Sequence, residues 1–456
     1  MSFQIYLSNF FDLFESNLDK VFDFIFDEKA KGINTDSRLI EKGEVFLALR
    51  GSNFDGHKFA EDAIAKGAVA LIVDHYLPVN LSKKIPQFKV KDTLVAYQQI
   101  AHWWRNQVDI PVIAVTGSVG KTTTKELIAA VLRTQGKVHK TQSNYNNEIG
   151  VPKTLLDITT DQNYVVIEMG MRALGEIALL TQVARPTIGL ITNVGTAHIG
   201  RLGSKEAIAQ AKCELLAQMS KDGLAILNHD NTLLIQTAKK VWSGKTITYG
   251  LEGGDIMGKL IDSQTLQVEG MNFPLPLPGR HNALNYLGAL VVAKCLGFDC
   301  TPLTQGVEVY LPEGRSRQYQ LSGDIIILDE TYNAGLESMK AALNLLKEIP
   351  GKRHLAILGT MKELGEQSTQ FHREIGKMVK EVEVDHLLVL VNDPEAEEII
   401  QGALGVITDC ISTHQELIER LKEIVEPGDR LLFKASNSVG LNLVVEKFRE
   451  QLMVKS

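Results

Sequence analysis

The chain has 456 residues but few cysteines: Cys213, Cys295, Cys300 and Cys410 are too scattered for a disulfide framework, and no C-x-x-C pair occurs. That scarcity fits a reducing cytoplasm. Long runs of one charge sign are also missing. With 48 basic and 55 acidic residues the net charge is -7, which leaves no footprint of a nucleic-acid or membrane-surface binder. An anionic ligand must therefore be met by local groups. No apolar stretch is long enough to span a bilayer. The N-terminal MSFQIYLSNFFDLFESNLDKVFDFIF is interrupted by Asp12, Glu15, Asp19 and Asp23 and lacks a basic start, so it reads neither as a signal peptide nor as a membrane span. Internal repeats and low-complexity linkers are absent. The length exceeds what one core organises, so two or three domains are expected.

Changes of pattern place the boundaries. Residues 1–90 alternate short strands and helices (GEVFLALRG, FAEDAIAKGA, VALIVD) and end in the loop LPVNLSKKIP, a small α/β domain. In 91–312 a helix, TLVAYQQIAHWWRNQ, leads to the apolar runs PVIAVTG, YVVIEMG, TIGLITNVG and GLAILN. Runs without polar alternation predict a parallel sheet covered on both faces. From 245 turn-rich segments read as antiparallel strands added to it, and HNALNYLGALVVAKCLG as a helix closed by Gly297. Residues 313–456 alternate strand and helix regularly, as in a Rossmann-like doubly wound sheet. No G-x-G-x-x-G follows its first strand, which argues against dinucleotide binding.

AVTGSVGKTTTKE (114–126) places a strand, a glycine loop and a helix running to Gly136 in succession. That context suits a phosphate cradle, with Lys121 on the β and γ phosphates and Thr122 on Mg²⁺. The usual first glycine is missing, since Val115 stands there, and a plain Gly-Lys turn at a helix start is the bland alternative. Glu168 ends a predicted strand at the sheet's carboxyl edge, where ligands bind; it could hold a metal or be a surface acid. His198 lies at another such strand end and alone reads as a hydrogen-bonded loop residue. Lys212, in SKEAIAQAKCELL, reads as a solvated lysine on an amphipathic helix, and a protonated amine cannot ligate a cation.

These segments, together with NYNNEIGVPKTLL, IEMGMRALGEIALL, ITNVGTAHIGRLGSKEAIAQAKCELL, LPGRHNALN, GRSRQYQL, DETYNAGLESM, LGTMKELGE and the first-domain TDSR and FLALRGSNFDGHKFAEDAIAKGA, resemble the Mur ligase superfamily in order and spacing. More narrowly they resemble its dipeptide-adding branch. The resemblance spans nearly the whole chain. It implies three domains, α/β throughout: 1–90 for the UDP substrate, 91–312 for ATP as a P-loop mononucleotide-binding sheet, and 313–456 for the incoming amine. The family loop has the form T-G-x-x-G-K-T, so Val115 fits it.

The resemblance further implies an ATP site of Thr116, Gly117, Ser118, Gly120, Lys121, Thr122 and Thr123, joined by His281, Asn282, Arg315 and Asp329. It implies a catalytic set of Lys121, Glu168, His198 and Lys212. Two Mg²⁺ ions would be held by Thr122, Glu168, His198 and Lys212, the last converted by CO₂ to an anionic carbamate. Thr35, Ser37 and Arg38 would hold the uridine nucleotide, and Asn146, Asn147 and Asn333 would contact substrate. The third domain departs from the family: D-D is Asp329-Glu330, N-P is Gly335-Leu336, and K-G-S-R is Lys434-Ala435-Ser436-Asn437. The last change removes an arginine able to clamp a carboxylate.

The implied activity is ATP-dependent amide ligation in peptidoglycan precursor synthesis, and thus in cell-wall biogenesis, cell shape and division. D-Ala-D-Ala would be joined to a UDP-MurNAc-tripeptide through an acyl phosphate by a cytoplasmic monomer. The alternatives are a third-residue-adding or folylpolyglutamate-like ligase of the same superfamily, and a P-loop regulatory ATPase. The last leaves the spacing of His198 and Lys212 unexplained.

Overall fold

A computed structural model describes residues 2–14, 27–78 and 85–453. Part of the N-terminal apolar stretch, with Glu15, Asp19 and Asp23, and the middle of LPVNLSKKIP lie outside the described residues. Three parallel or mostly parallel sheets follow one another along the chain, as the α/β expectation requires.

The first sheet aligns Ile33–Asn34, Val45–Leu47, Ala70–Val73 and Gln87–Lys89, all parallel. Helix Ala60–Ala65 follows a short 3₁₀ turn, Gly56–Phe59. Helix Thr93–Asn106 then leads to the central sheet. Asp92 caps it, its Oδ1 accepting from the N–H groups of Leu94 at 2.8 Å and Val95 at 3.1 Å.

The central sheet runs Val138–Lys140, Tyr164–Glu168, Val112–Thr116, Ile188–Ile191, Leu224–Asn228, Lys245–Gly250, Ile256–Asp262, Thr265–Val268, Met271–Pro274. Its middle strands are buried on both faces: Ala114 and Ile167 look to one core, Ile113, Val115 and Val166 to the other. That explains their unbroken apolar runs. The antiparallel reading from 245 needs correction. Lys245–Gly250 pairs parallel with Leu224–Asn228, because helix Thr232–Val241 is a crossover between them, and Ile256–Asp262 joins it parallel at Tyr249 and Gly250. Only the last three strands form an antiparallel meander. Helix Lys121–Arg133 also stops before Gly136. Thr134 is its C-cap, and the missing side chain of Gly136 instead makes room for Asn163 and Tyr164, whose atoms lie 2.9 Å from a hypothetical Cβ. Gly297 does close helix Arg280–Cys295, at φ 83°.

The third sheet runs Arg317–Leu321, Ile325–Asp329, Asp429–Lys434, Arg353–Leu358, His386–Leu390, Ile407–Ile411. Ala356 and Leu358 pack with helices Leu336–Glu348 and Ser368–Glu381, while Leu355 and Ile357 pack with His414–Ile424 and Leu441–Met453. This is a doubly wound layer. Its edge strands RQYQL and ITDCI are largely exposed and carry little apolar signal. Among the described residues no helix is long and apolar enough to cross a membrane.

Helices Ser368–Glu381 and Glu397–Gly402 touch through glycine. A Cβ on Gly376 would lie 2.0 Å from the Ile399 carbonyl. Gly376→Ala should therefore cost roughly 1–3 kcal/mol by chemical denaturation; unchanged stability would contradict the close approach.

Candidate functional site

The phosphate loop begins where Val112–Thr116 leaves the sheet. Thr116 is anchored by its Oγ1, which donates to the Met169 carbonyl at 2.8 Å. Gly117 has φ 152°, and a Cβ there would come within 1.9 Å of Thr192 Oγ1, so only glycine fits. Residues 192–195 clamp the loop. The N–H of Ser118 donates to the Asn193 carbonyl at 3.0 Å, that of Val119 to Asn193 Oδ1 at 3.0 Å, and the Gly195 N–H to Ser118 Oγ at 2.8 Å. Gly120, left-handed at φ 82°, is the N-cap of helix Lys121–Arg133 and provides no side-chain cap. The first-turn N–H groups of Lys121, Thr122 and Thr123 thus face outward with no helical acceptor, the arrangement that binds an anion. Lys121 Nζ folds back onto the carbonyls of Gly117 at 2.9 Å and Ser118 at 3.4 Å. Burial pushes its amine below the ordinary lysine range, against the pull of Glu168.

Glu168 ends strand Tyr164–Glu168 with 2% of its surface exposed. Its Oε2 accepts from Thr122 Oγ1 at 2.8 Å, and its Oε1 from Asn146 Nδ2 at 2.8 Å. The surface-acid reading is overturned. Thr122 and Glu168 offer hard oxygen donors beside the loop, a donor set suited to Mg²⁺.

Lys212 is also not solvated. It lies 1% exposed on helix Lys205–Gln218, and its Nζ meets no carboxylate or hydrogen-bond acceptor among the described residues. Burial first, and the Lys121 charge second, hold it well below the ordinary lysine value. A neutral, unpartnered amine is the form that can react with CO₂. His198 sits at φ 67° as N-cap of Ile199–Leu202, with Nδ1 on Glu363 Oε2. Burial, then Lys121, lower its pKa, against the pull of Glu363. Its present partner is Glu363 of the third domain.

Helix Arg280–Cys295 backs onto the loop, since a Cβ on Gly120 would lie 2.7 Å from Asn285 Oδ1. At its start Asn282 Nδ2 donates to the Pro278 carbonyl at 2.8 Å, while His281 is pushed down by burial and feels Glu330 and Lys434. Arg315 stacks its guanidinium 3.6 Å from the Tyr332 ring centroid and leaves a buried Nε without a partner. Asp329, 4% exposed, accepts from the N–H of Thr331 at 3.1 Å and from its Oγ1 at 2.6 Å.

Not every expected residue converges here. Asn147 Oδ1 accepts from the Gly150 N–H at 2.9 Å, just before helix Gly150–Leu156. Asn333 is exposed, and its carbonyl accepts from Lys434 Nζ at 2.9 Å. Thr35, Ser37 and Arg38 form a first-domain turn. There Asp36 grips Arg38 through Nε at 2.9 Å and Nη2 at 2.7 Å, which holds the Asp36 carboxyl down at about 2. Sequence reasoning missed that grip, and also Glu337, which accepts from the Thr196 N–H at 2.8 Å and its Oγ1 at 2.9 Å. It missed Glu363, gripping His198 and Arg201, and the buried Lys125. A lysine within an otherwise buried helix face was the one available signal.

Among the described residues the tight His/Asp cluster is elsewhere, at His57, Asp74 and His75. It does not suit a cation. His57 Nδ1 is taken by Asp55 at 2.6 Å and Nε2 by the Asp74 N–H at 3.1 Å.

The comparisons with known proteins agree across the chain. Three family descriptions match: Mur ligase family, catalytic domain, over 29–105; Mur ligase middle domain over 115–293; and Mur ligase, glutamate ligase domain, over 314–437. The chain is 56% identical over 434 residues, 95% of each protein, to UDP-N-acetylmuramoyl-tripeptide--D-alanyl-D-alanine ligase of Synechocystis sp.. Its structure is similar to that of MurF from Acinetobacter baumannii, with TM-score 0.89 and 29% identity, covering 98% of this chain and 99% of that one. It is also similar to MurF ligase from Thermotoga maritima in complex with ADP, with TM-score 0.82 and 29% identity over 93% and 98%.

The loop carrying Glu363 depends on a neutral histidine. His372 accepts the Met361 N–H on Nε2 at 2.9 Å while Nδ1 faces the Ser368 carbonyl at 2.8 Å, and burial lowers its pKa from 6.5. Between the folded value and 6.5 the unfolded chain binds more protons. Stability from this group is therefore full above that range and lost as pH falls. Melting temperature should drop from pH 7.5 to 5.5, and drop less in His372→Gln; a flat profile would contradict the assignment.

Proposed function

The chain belongs to the Mur ligase family, and from that premise we propose that it joins D-Ala-D-Ala to UDP-MurNAc-tripeptide, giving the pentapeptide, ADP and phosphate. The observation that carries the site assignment is Lys212: buried, without a partner, and within the field of Lys121, next to a loop whose Thr122 and Glu168 are already paired. A regulatory ATPase has no use for such a lysine.

In this reading ATP lies on the loop. The N–H groups of Lys121, Thr122 and Thr123 receive phosphate oxygens, and Lys121 exchanges its loop carbonyls for the β and γ phosphates. The adenosine end meets His281 and Asn282, and Arg315 and Asp329 of the third domain complete the pocket. The tripeptide's terminal carboxylate attacks the γ-phosphorus, the bond to the β-phosphate oxygen breaks, and ADP leaves. The D-Ala-D-Ala amine then attacks the acyl phosphate carbon, loses a proton and expels phosphate. Thr122, Glu168, His198 and the carbamate of Lys212 would hold two Mg²⁺ ions, which supply charge neutralisation between carboxylate and phosphate. The carbamate forms when the neutral amine adds to CO₂ and releases one proton. Thr35, Ser37, Arg38 and Asn147 face the UDP-peptide and Asn333 the amine. Asn146 acts by holding Glu168, and Glu337 and Glu363 join the third domain to the 195–201 loop, which excludes water from the acyl phosphate.

The division into 1–90, 91–312 and 313–456 as UDP-substrate, ATP and amine domains is part of this proposal. So is its action as a monomer in the cytoplasm. The name carried by the Synechocystis relative favours the dipeptide-adding reaction over third-residue addition or folate extension.

ADP formation should require both the UDP-peptide and D-Ala-D-Ala. Lys212→Ala should lose at least a hundredfold in rate and regain part of it with added acetate or formate. Turnover without the amine would sink the ligase, and full activity of the variant would remove the carbamate.

A further inference from the structure

One helical turn beyond Lys121, Lys125 is completely buried, and no step of the proposed reaction uses it. Its Nζ donates to the Thr141 carbonyl at 2.9 Å and stands 3.2 Å from Glu126 Oε1 and 3.8 Å from Glu168 Oε2. Thr141 in turn accepts the Glu168 N–H on its Oγ1 at 3.0 Å. Lys125 thus ties the loop helix to both the backbone anchor and the carboxylate of Glu168. Glu126 has a second cation, being paired with Lys140 as well. Glu168 has no such reserve: among the described residues Lys125 is the one cation within 4.0 Å of its oxygens.

A buried lysine keeps its charge only when that charge is matched and its donors are used. Here the matching groups are Glu126 and the very carboxylate that Thr122 and Asn146 also hold. We infer that Lys125 is a positioning residue for the metal-binding carboxylate. It fixes Glu168 against the phosphate loop before Mg²⁺ arrives, because misplacing such a ligand by about 1 Å is enough to cost orders of magnitude in function. The inference rests on Glu168 being a Mg²⁺ ligand.

The test is calorimetric titration of the full chain with ADP at stepped Mg²⁺ concentrations, alongside thermal melting. Lys125→Met should raise the Mg²⁺ needed for half-maximal ADP binding at least tenfold and lower the melting temperature. Lys125→Gln keeps a hydrogen-bond donor for the Thr141 carbonyl without the charge. It should melt closer to the parent chain than Lys125→Met and keep the raised Mg²⁺ requirement, which a purely structural lysine would not produce. An unchanged or lowered Mg²⁺ requirement in either folded variant, or failure of both to fold, overturns the inference. Glu168→Gln separates the two readings: if it leaves the requirement unchanged the metal site itself fails, whereas a shift there without one in Lys125→Met sinks only the role of Lys125.

Discussion

The site depends on a single carboxylate held from three sides at the end of a buried strand. Glu168 receives the Thr122 hydroxyl, the Asn146 amide and the field of Lys125, with its backbone N–H on Thr141. Burying a charged carboxylate is costly unless its oxygens are satisfied. The surrounding sequence satisfies them using groups from the loop helix, from the segment after Val138–Lys140 and from the strand itself. Phosphate loop and acid are therefore joined directly, through the Thr122 hydroxyl on the Glu168 carboxylate.

The third domain closes on that site through two further carboxylates. Glu337 holds Thr196 at the clamp over the loop, and Glu363 holds His198 and Arg201. The departures from the family pattern in this domain divide physically. Glu330 keeps a carboxylate 3.8 Å from Lys434, so that exchange preserves the charge pairing, and Ser436 Oγ still accepts the Lys362 N–H at 2.9 Å. Asn437 stands exposed where the resemblance implies an arginine.

Much of this was legible in the sequence for a reason. Parallel strands buried on both faces advertise themselves as apolar runs, so Val112–Thr116, Tyr164–Glu168 and Ile188–Ile191, and the residues at their carboxyl ends, could be placed. The exposed edge strands Arg317–Leu321 and Ile407–Ile411 carry no such signature. Lys212 shows the limit best. Local pattern makes it a solvated helix lysine, and only the packing around the helix reveals a buried side chain. Glu363 and Glu337 escaped notice because their partners lie 165 and 141 residues away, beyond any local pattern.

The central claim is that Thr122, Glu168, His198 and a carbamylated Lys212 form one metal-binding wall beside the nucleotide. Anomalous diffraction from crystals grown with ADP, Mn²⁺ and bicarbonate tests it directly. The account predicts Mn²⁺ on Thr122 and Glu168, a second ion touching His198, and density extending Lys212 Nζ into a carbamate. ADP seated in the loop with no Mn²⁺ at Glu168 and an unmodified Lys212 would contradict it.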